Sequence, residues 1–174
     1  MTKFSALTLA LGLVIGMLVT PVFAQEKQQM TKAQLEGTWR LVSLKATSGG
    51  KVSYPLGEHP GGYAGYTATR AWFMLVGSNR KVPATATPSD AEAGLLMKSS
   101  AAYTGKYEVD PTPSKDGLRV TVRVDAAVNE ALKGSERVWF ARVEGNRLKV
   151  SSPALLVPMT GLMSNVELEY IRAE

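Results

Sequence analysis

The sequence predicts an all-β fold, an antiparallel barrel of eight strands with one short helix. Two observations carry this prediction. Short segments of alternating apolar and polar residues follow one another along most of the chain, separated by turn residues, as in closed barrels and sandwiches. One segment, residues 87–102, departs from this alternation and has the start signals of a helix.

The first 24 residues are predicted to be a signal peptide and not part of the fold. Lys3 is their only charge, and an apolar run then leads to a small-residue ending at Ala24. The run is shorter than the roughly 20 residues of a membrane span, although an uncleaved anchor is the alternative. We expect a flexible leader at 25–34, one barrel domain at 35–174, and a periplasmic or secreted protein without a stable membrane span.

Alternation also assigns the two faces of each strand. The cleanest run is 118–125, in which Leu118, Val120, Val122 and Val124 are predicted to point inward. In the first strand, the prediction places Trp39, Leu41 and Ser43 on one face and Arg40, Val42 and Leu44 on the other. The eight predicted strands cover residues 38–45, 62–68, 71–77, 103–109, 118–125, 136–144, 147–152 and 165–172.

The predicted helix follows the third strand. Thr87 is the expected N-cap and Pro88 the first helical residue, with Asp90 and Glu92 in the first turn, where the helix dipole favours negative charge. The apolar face would consist of Leu95, Leu96 and Met97. We expect this helix to lie over one barrel end or along the outside of the barrel.

Composition excludes several classes of function. The formal net charge is +5, but the positive residues are scattered singly, which argues against nucleic acid as a partner. The chain has no Cys, so disulfides, thiolate chemistry and a lipoprotein anchor are excluded. Its single histidine, His59, is interpreted as a solvated loop residue, with a general base at the barrel mouth as the alternative. No metal site, cofactor motif or nucleophile–base motif is predicted.

The order of several motifs resembles one family. Gly37-Thr38-Trp39 opens the first strand as the lipocalin signature does. The other landmarks are "SYPLGEHPGGYAGYTA" at 53–68, "TPSDAEAG" at 87–94, "AAYTGKYEVD" at 101–110, "VEGNRLKVSSP" at 143–153 and "VELEYIR" at 166–172. Over roughly residues 33–172 the chain is similar to the bacterial and fungal lipocalin-like domain proteins.

This resemblance implies a closure of one barrel end. Trp39 would plug that end, Gly37 would permit a tight approach of the chain, and Arg172 would pack across the tryptophan ring. The chain departs from the family in the hairpin tip at Thr69-Arg70, and it has Thr121 and Arg123 where many relatives carry His. Chemistry that used those histidines is therefore not transferred, and the family supplies no catalytic set.

Aromatic residues in the strands form the second predicted site. Trp72, Tyr107 and Trp139 are expected to line a shared interior, as small-molecule pockets require, although such rings also fill the core of small barrels. Arg123 or Arg137 would add a positive point for an anionic ligand if either faces inward. The predicted ligand-binding set is Tyr63, Tyr66, Trp72, Met74, Tyr103, Tyr107, Arg123 and Trp139.

Three functions remain open from the sequence. The first is an exported protein that binds a small apolar or amphipathic molecule inside the barrel. The second is a protein-interaction module that uses the barrel rim and the apolar connection at 154–163, which would line a mouth, pack on the barrel or form a partner surface. The third is a barrel enzyme, an isomerase or cyclase with Tyr and Glu as acid and base. No cofactor is expected for any of them.

Overall fold

The protein folds into a closed antiparallel barrel of eight strands, as predicted. The structure, a computed structural model, describes residues 30–112 and 114–174. Its strands are β1 (Gly37–Ser48), β2 (Lys51–Ser53), β3 (Gly61–Tyr66), β4 (Arg70–Val76), β5 (Ser100–Asp110), β6 (Leu118–Ala127), β7 (Glu136–Glu144), β8 (Arg147–Ser151), β9 (Leu155–Val157) and β10 (Leu162–Arg172).

Successive barrel strands pair with each other, and β1 pairs with β10 to close the barrel. The short strands β2 and β9 are not part of the barrel wall. β2 pairs only with the end of β1, and β9 pairs only with the start of β10. The helical segments are α1 (Lys32–Leu35), α2 (Asp90–Lys98) and a 3-10 turn (Glu130–Leu132).

The inward faces follow the predicted alternation in β6 but not throughout β1. All four predicted inward residues of β6 are buried. In β1 the register shifts between Leu41 and Ser43, so Trp39 and Leu41 are followed on the inner face by Leu44 and Ala46. The prediction that Leu44 lies on the outer face is therefore wrong, because a β-bulge inserts one residue and exchanges the faces beyond it.

Helix α2 begins two residues later than predicted. Its N-cap is Ser89, whose hydroxyl accepts from the backbone N–H of Glu92 while the Glu92 carboxylate accepts from the backbone N–H of Ser89 at 2.8 Å. This capping box is a stronger signal for the start of a helix than the expected N-cap at Thr87 followed by Pro88. The predicted apolar face is not buried, because the helix has no buried residue and exposes Leu95 and Met97.

The two barrel ends are built differently. At one end, called the closed end, Gly37 pairs with Tyr66 and Trp39 pairs with Arg172. The opposite, open end carries the long connections: those around β2, α2, the 3-10 turn and β9. The closed end has only short connections between β3 and β4, β5 and β6, and β7 and β8.

The segment before β1 is ordered where the structure describes it. Residues 30–34, which the sequence placed in a flexible leader, include Met30, which packs against the core, and most of α1, whose Leu35 is fully buried. The predicted signal peptide, residues 1–24, lies outside the described residues. Within the described ranges, no helix combines the length and apolar character needed to cross a membrane.

Candidate functional site

The closed end is held by contacts between the two termini of the barrel. Trp39 is fully buried, and its indole N–H donates to the backbone oxygen of Leu35 at 2.8 Å. The guanidinium carbon of Arg172 lies 4.1 Å from the ring centroid of Trp39. Gly37 has a φ of +121°, a conformation that favours glycine. Trp39, Arg172 and Gly37 therefore lie next to one another and close this end of the barrel.

The middle of the barrel is filled by packed rings. Tyr66 meets Phe73 and Tyr107 edge-on, with ring centroids 5.8 Å and 5.5 Å away. Phe73 in turn stacks on Tyr103 at 4.7 Å. Such edge-on and offset arrangements are the favoured geometries of aromatic pairs. The interior is therefore mostly filled, and any ligand space is confined to the part beyond this cluster.

That space is a cavity of about 70 Å³ at the open end. Its walls are almost entirely apolar and are contributed by most of the barrel strands. They consist of Leu44, Phe73, Leu75, Ala101, Tyr103, Leu132, Arg137, Trp139, Val150, Leu155, Val157, Pro158, Met159, Val166, Leu168 and Tyr170. A cavity of this composition suits an apolar molecule with a few polar contacts.

The apolar connection at 154–163, called the strap, crosses this end. Leu155, Val157 and Met159 line the cavity from the strap. The other side of the strap region is exposed at Leu156, Leu162 and Met163. The strap thus lines the cavity with one side, as the first of the three roles left open by the sequence requires. Its other side is an exposed apolar surface.

Besides the Tyr170 hydroxyl, three polar groups interrupt the apolar wall. Arg137 and Trp139 project inward from β7, and Tyr103 projects inward from β5. The Nε atom of Arg137 and the Nε1 atom of Trp139 are both buried and have no hydrogen-bond partner in the described part of the chain. Burial raises the pKa of the Tyr103 hydroxyl, and the nearby Arg137 charge and Trp139 indole N–H offset this only in part; the indole N–H itself forms no hydrogen bond with the described residues.

Burial keeps the interior tyrosines protonated. Loss of solvation raises the pKa of Tyr66, Tyr103 and Tyr170 well above 10, and the charge of Arg137 only partly offsets this at Tyr103. Burial, with a smaller contribution from the Glu36 carboxylate, raises the pKa of Tyr107 to about 12. These hydroxyls therefore act as neutral hydrogen-bonding groups and not as bases near neutral pH.

Half of the predicted ligand-binding residues lie outside the barrel. Tyr63, Trp72 and Met74 are 39%, 37% and 51% exposed, and Arg123 forms ion pairs with Glu108 and Glu136 on the outer surface. The expectation that Trp72 shares an interior with Tyr107 and Trp139 is wrong. Trp72 pairs with Gly65 and packs over it, while its neighbour Phe73 takes the inward position.

The other four predicted ligand-binding residues point into the barrel, two of them in the packed ring cluster and two at the cavity. Tyr66 and Tyr107 belong to the packed ring cluster, and the hydroxyl of Tyr107 donates to the backbone oxygen of Thr67 at 2.8 Å. Tyr103 and Trp139 line the cavity. The predicted set omitted Arg137, which shares a face with Trp139 by simple alternation in "ERVWFARVE". It also omitted Phe73, Tyr170 and Met159, for which the sequence offers only hydrophobicity.

Groups for metal or acid–base chemistry do not converge in the described part of the chain. No cluster of three or more His, Cys, Asp and Glu side chains occurs among residues 30–112 and 114–174. His59 is exposed in the connection between β2 and β3. The described cavity wall includes no Asp, Glu or His.

Comparison with known proteins gives one result. A family model described as a lipocalin-like domain matches residues 36–160. The match begins one residue before β1 and ends within the strap, before β10. Neither a curated protein nor a solved structure matches the chain.

Proposed function

Because the chain belongs to the lipocalin-like domain family, we propose that it is an exported binding protein for a small, mostly apolar molecule. The ligand is held at the open end of the barrel, under the strap. The single observation that carries this proposal is the apolar cavity of about 70 Å³ between the packed ring cluster and the strap. Export rests on the predicted signal peptide at residues 1–24.

The size of the cavity limits the ligand. A cavity of about 150 Å³ holds benzene, so 70 Å³ accepts only part of a molecule of that size without rearrangement. Met159 belongs to the strap and has the flexible side chain best suited to move aside. We therefore expect a small ligand, or one whose remainder extends past the strap to solvent.

A pair of substitutions on β5 tests the site. Ala101 lines the cavity, whereas Ala102 pairs with the outward residue Met74 on the neighbouring strand. Ala101→Leu places three extra carbons in the cavity, and Ala102→Leu makes the same change on the outer face. Ligand is first sought by native mass spectrometry of protein purified from its own cells, and binding is then titrated by Trp139 emission.

The expected result is loss of saturable binding in Ala101→Leu and full binding in Ala102→Leu, with both variants folded by circular dichroism. Equal binding by both variants would place the ligand elsewhere and reject the cavity. A broad panel of lipids, aromatic acids and dyes that gives no saturable change with the unsubstituted protein would reject the proposal as a whole.

A second candidate function is a protein-interaction module. The observation in its favour is the exposed apolar surface at the strap, where Leu156, Leu162 and Met163 are 53%, 53% and 57% exposed. Exposed apolar groups of this kind occur at contact surfaces. Substituting these three residues by Ser would leave small-molecule binding intact and abolish partner binding if this candidate is correct. The enzyme hypothesis has no comparable support, since the described cavity wall has no carboxylate.

A further inference from the structure

We propose that the ligand of this cavity is a small monocarboxylic acid with an apolar tail, and that Arg137 and Trp139 bind its carboxylate. This inference rests on the proposed function, because it names the chemical class of the molecule in the same cavity. It starts from two buried donors that face a mostly apolar space and have no hydrogen-bond acceptor among residues 30–112 and 114–174.

The first donor belongs to an unpaired cation. Arg137 is partly buried and lies opposite Val122 in the β6–β7 pairing, which directs it into the barrel. The nearest acidic residue in sequence, Glu136, points outward and pairs with Arg123 at 3.2 Å. No carboxylate of the described residues forms an ion pair with Arg137. Arg137 thus carries its charge in a partly buried position with one fully buried, unpartnered N–H group, which is costly, so this arrangement favours an anion from outside the chain.

The second donor defines the position of that anion. Trp139 is only 7% exposed and lies two residues along the same inward face of β7, and its indole N–H has no hydrogen-bond partner within the described ranges. The Tyr103 hydroxyl is nearby, and burial raises its pKa, so it remains a neutral donor. An oxygen group between Arg137 and Trp139 would satisfy both unpartnered nitrogens.

A carboxylate matches these donors better than other anions. The free Nε–H of Arg137 and an adjacent terminal N–H form a planar fork, which binds the two oxygens of a carboxylate side by side. Apart from two tyrosine hydroxyls, the remaining wall is apolar, and it leaves little room for the additional oxygens of phosphate or sulfate. The hydrocarbon tail would contact Leu168 and Val150, and the strap would cover it.

Water is the competing occupant. The cavity has space for several water molecules, and water could satisfy the same nitrogens. The experiment therefore compares straight-chain acids of four to ten carbons with alcohols and amines of equal length. Binding is measured by calorimetry, and the indole N–H signal of Trp139 is followed by NMR, with Trp139→Phe used to assign it.

Arg137→Met removes the charge and keeps the apolar stem of the side chain. Its matched control is Arg123→Met, on the adjacent strand but on the outer face. We expect at least one acid to bind more tightly than its alcohol and amine, and to move the Trp139 indole signal. Arg137→Met should weaken acid binding about 10- to 100-fold and alcohol binding less than about 2-fold. Arg123→Met should change neither.

The outcomes separate the two proposals. If alcohols bind as well as acids and Arg137→Met has no selective effect, the cavity binds ligand but the carboxylate inference is overturned. If no member of the three series binds, the inference is overturned as well, and the broad ligand panel with Ala101→Leu decides the proposed function separately. If Arg137→Met does not fold, Arg137→Lys replaces it, and retention of full acid affinity without the planar fork would overturn the bidentate contact.

Discussion

The Arg172 guanidinium covers the ring of Trp39 and joins the last strand of the barrel to the segment before the first. Its carbon lies 4.1 Å from the ring centroid, and its terminal nitrogens donate to the backbone oxygens of Glu36 at 2.9 Å and Gln34 at 3.0 Å. The Trp39 indole donates to Leu35 in the same segment. Arg172 of β10 and Trp39 of β1 thus connect the segment around α1 to the two strands whose pairing closes the barrel.

This arrangement predicts coupled losses of stability. Trp39→Ala should lower the free energy of unfolding by about 3–5 kcal/mol, because a large ring is removed from a packed core. Arg172→Ala should cost about 1–3 kcal/mol, because the cation–π contact and two charge-assisted hydrogen bonds are lost. Urea unfolding of the single and double variants should give a coupling energy of about 0.5–2 kcal/mol.

The closed end should not affect the cavity at the other end. Arg172→Ala, assayed while folded, should retain ligand binding at the open end. A coupling energy near zero, together with a neutral effect of Arg172→Ala on stability, would reject the role assigned to this pair.

Gly37 should resist even the smallest side chain. Its φ is +121°, and a Cβ there would lie 2.7 Å from Nη1 of Arg172 and 3.1 Å from the backbone oxygen of Glu174. Gly37→Ala should therefore destabilise the protein by about 1–3 kcal/mol through backbone strain. Gly94→Ala is the control, since Gly94 lies within α2 with open space around it and should be neutral or stabilising by up to about 1 kcal/mol. Equal effects of the two substitutions would contradict this explanation.

The sequence predicts the strands well where alternation is regular and fails where it is interrupted. In β6 small apolar residues alternate strictly with polar ones, so both faces follow directly. In β1 the bulge after Leu41 reverses the faces, and bulge positions depend on the pairing of strands distant in sequence. The start of α2 is predictable from the sequence, because Ser89 and Glu92 have the spacing of a capping box.

The site was less predictable for a physical reason. "AWFMLV" in β4 is continuously apolar, so alternation alone cannot decide whether Trp72 or Phe73 points inward. That choice depends on strand pairing, which places Trp72 opposite Gly65 on the outer face. The inward position of Arg137, in contrast, follows from its spacing to Trp139, but only the structure shows that its buried Nε atom has no hydrogen-bond partner among the described residues.

The buried tyrosines predict a loss of stability at alkaline pH. The pKa of Tyr66, Tyr103 and Tyr170 is raised in the folded protein, whereas the unfolded chain releases these protons near pH 10. Their stabilising effect is therefore fully present below pH 10 and decreases as the pH rises above it. The free energy of unfolding should fall by about 1.4 kcal/mol per pH unit for each such tyrosine.

Urea unfolding between pH 8 and pH 12 measures this slope. Tyr66→Phe should reduce the slope by the share of one tyrosine. Phe73→Leu, which alters the ring in contact with Tyr66 without removing a hydroxyl, should shift the curve without changing its slope. An unchanged slope in Tyr66→Phe would contradict the assignment.

Export predicts a defined N-terminus. Signal-peptide removal after Ala24 should give a mature protein that begins at Gln25, because a small residue before the cleavage point is what the processing enzyme accepts. N-terminal sequencing of protein from the periplasmic fraction or the medium checks this, and Ala24→Phe should block cleavage. An intact Met1 in the membrane fraction would contradict it.

The two adjacent aromatic residues of β4 give the sharpest test of which face is inside. Phe73 is 6% exposed and contacts the rings of Tyr66 and Tyr103, whereas Trp72 is 37% exposed and packs over Gly65. Phe73→Ala should lower the free energy of unfolding by about 3–5 kcal/mol, and Trp72→Ala by about 1 kcal/mol or less. The same contrast applies to binding: Trp72→Phe should leave the ligand-induced change in emission intact, and Trp139→Phe should remove it. A larger stability loss in Trp72→Ala than in Phe73→Ala would show that Trp72 is on the inward face of β4. Phe73 and Leu75 would then not belong to the cavity wall.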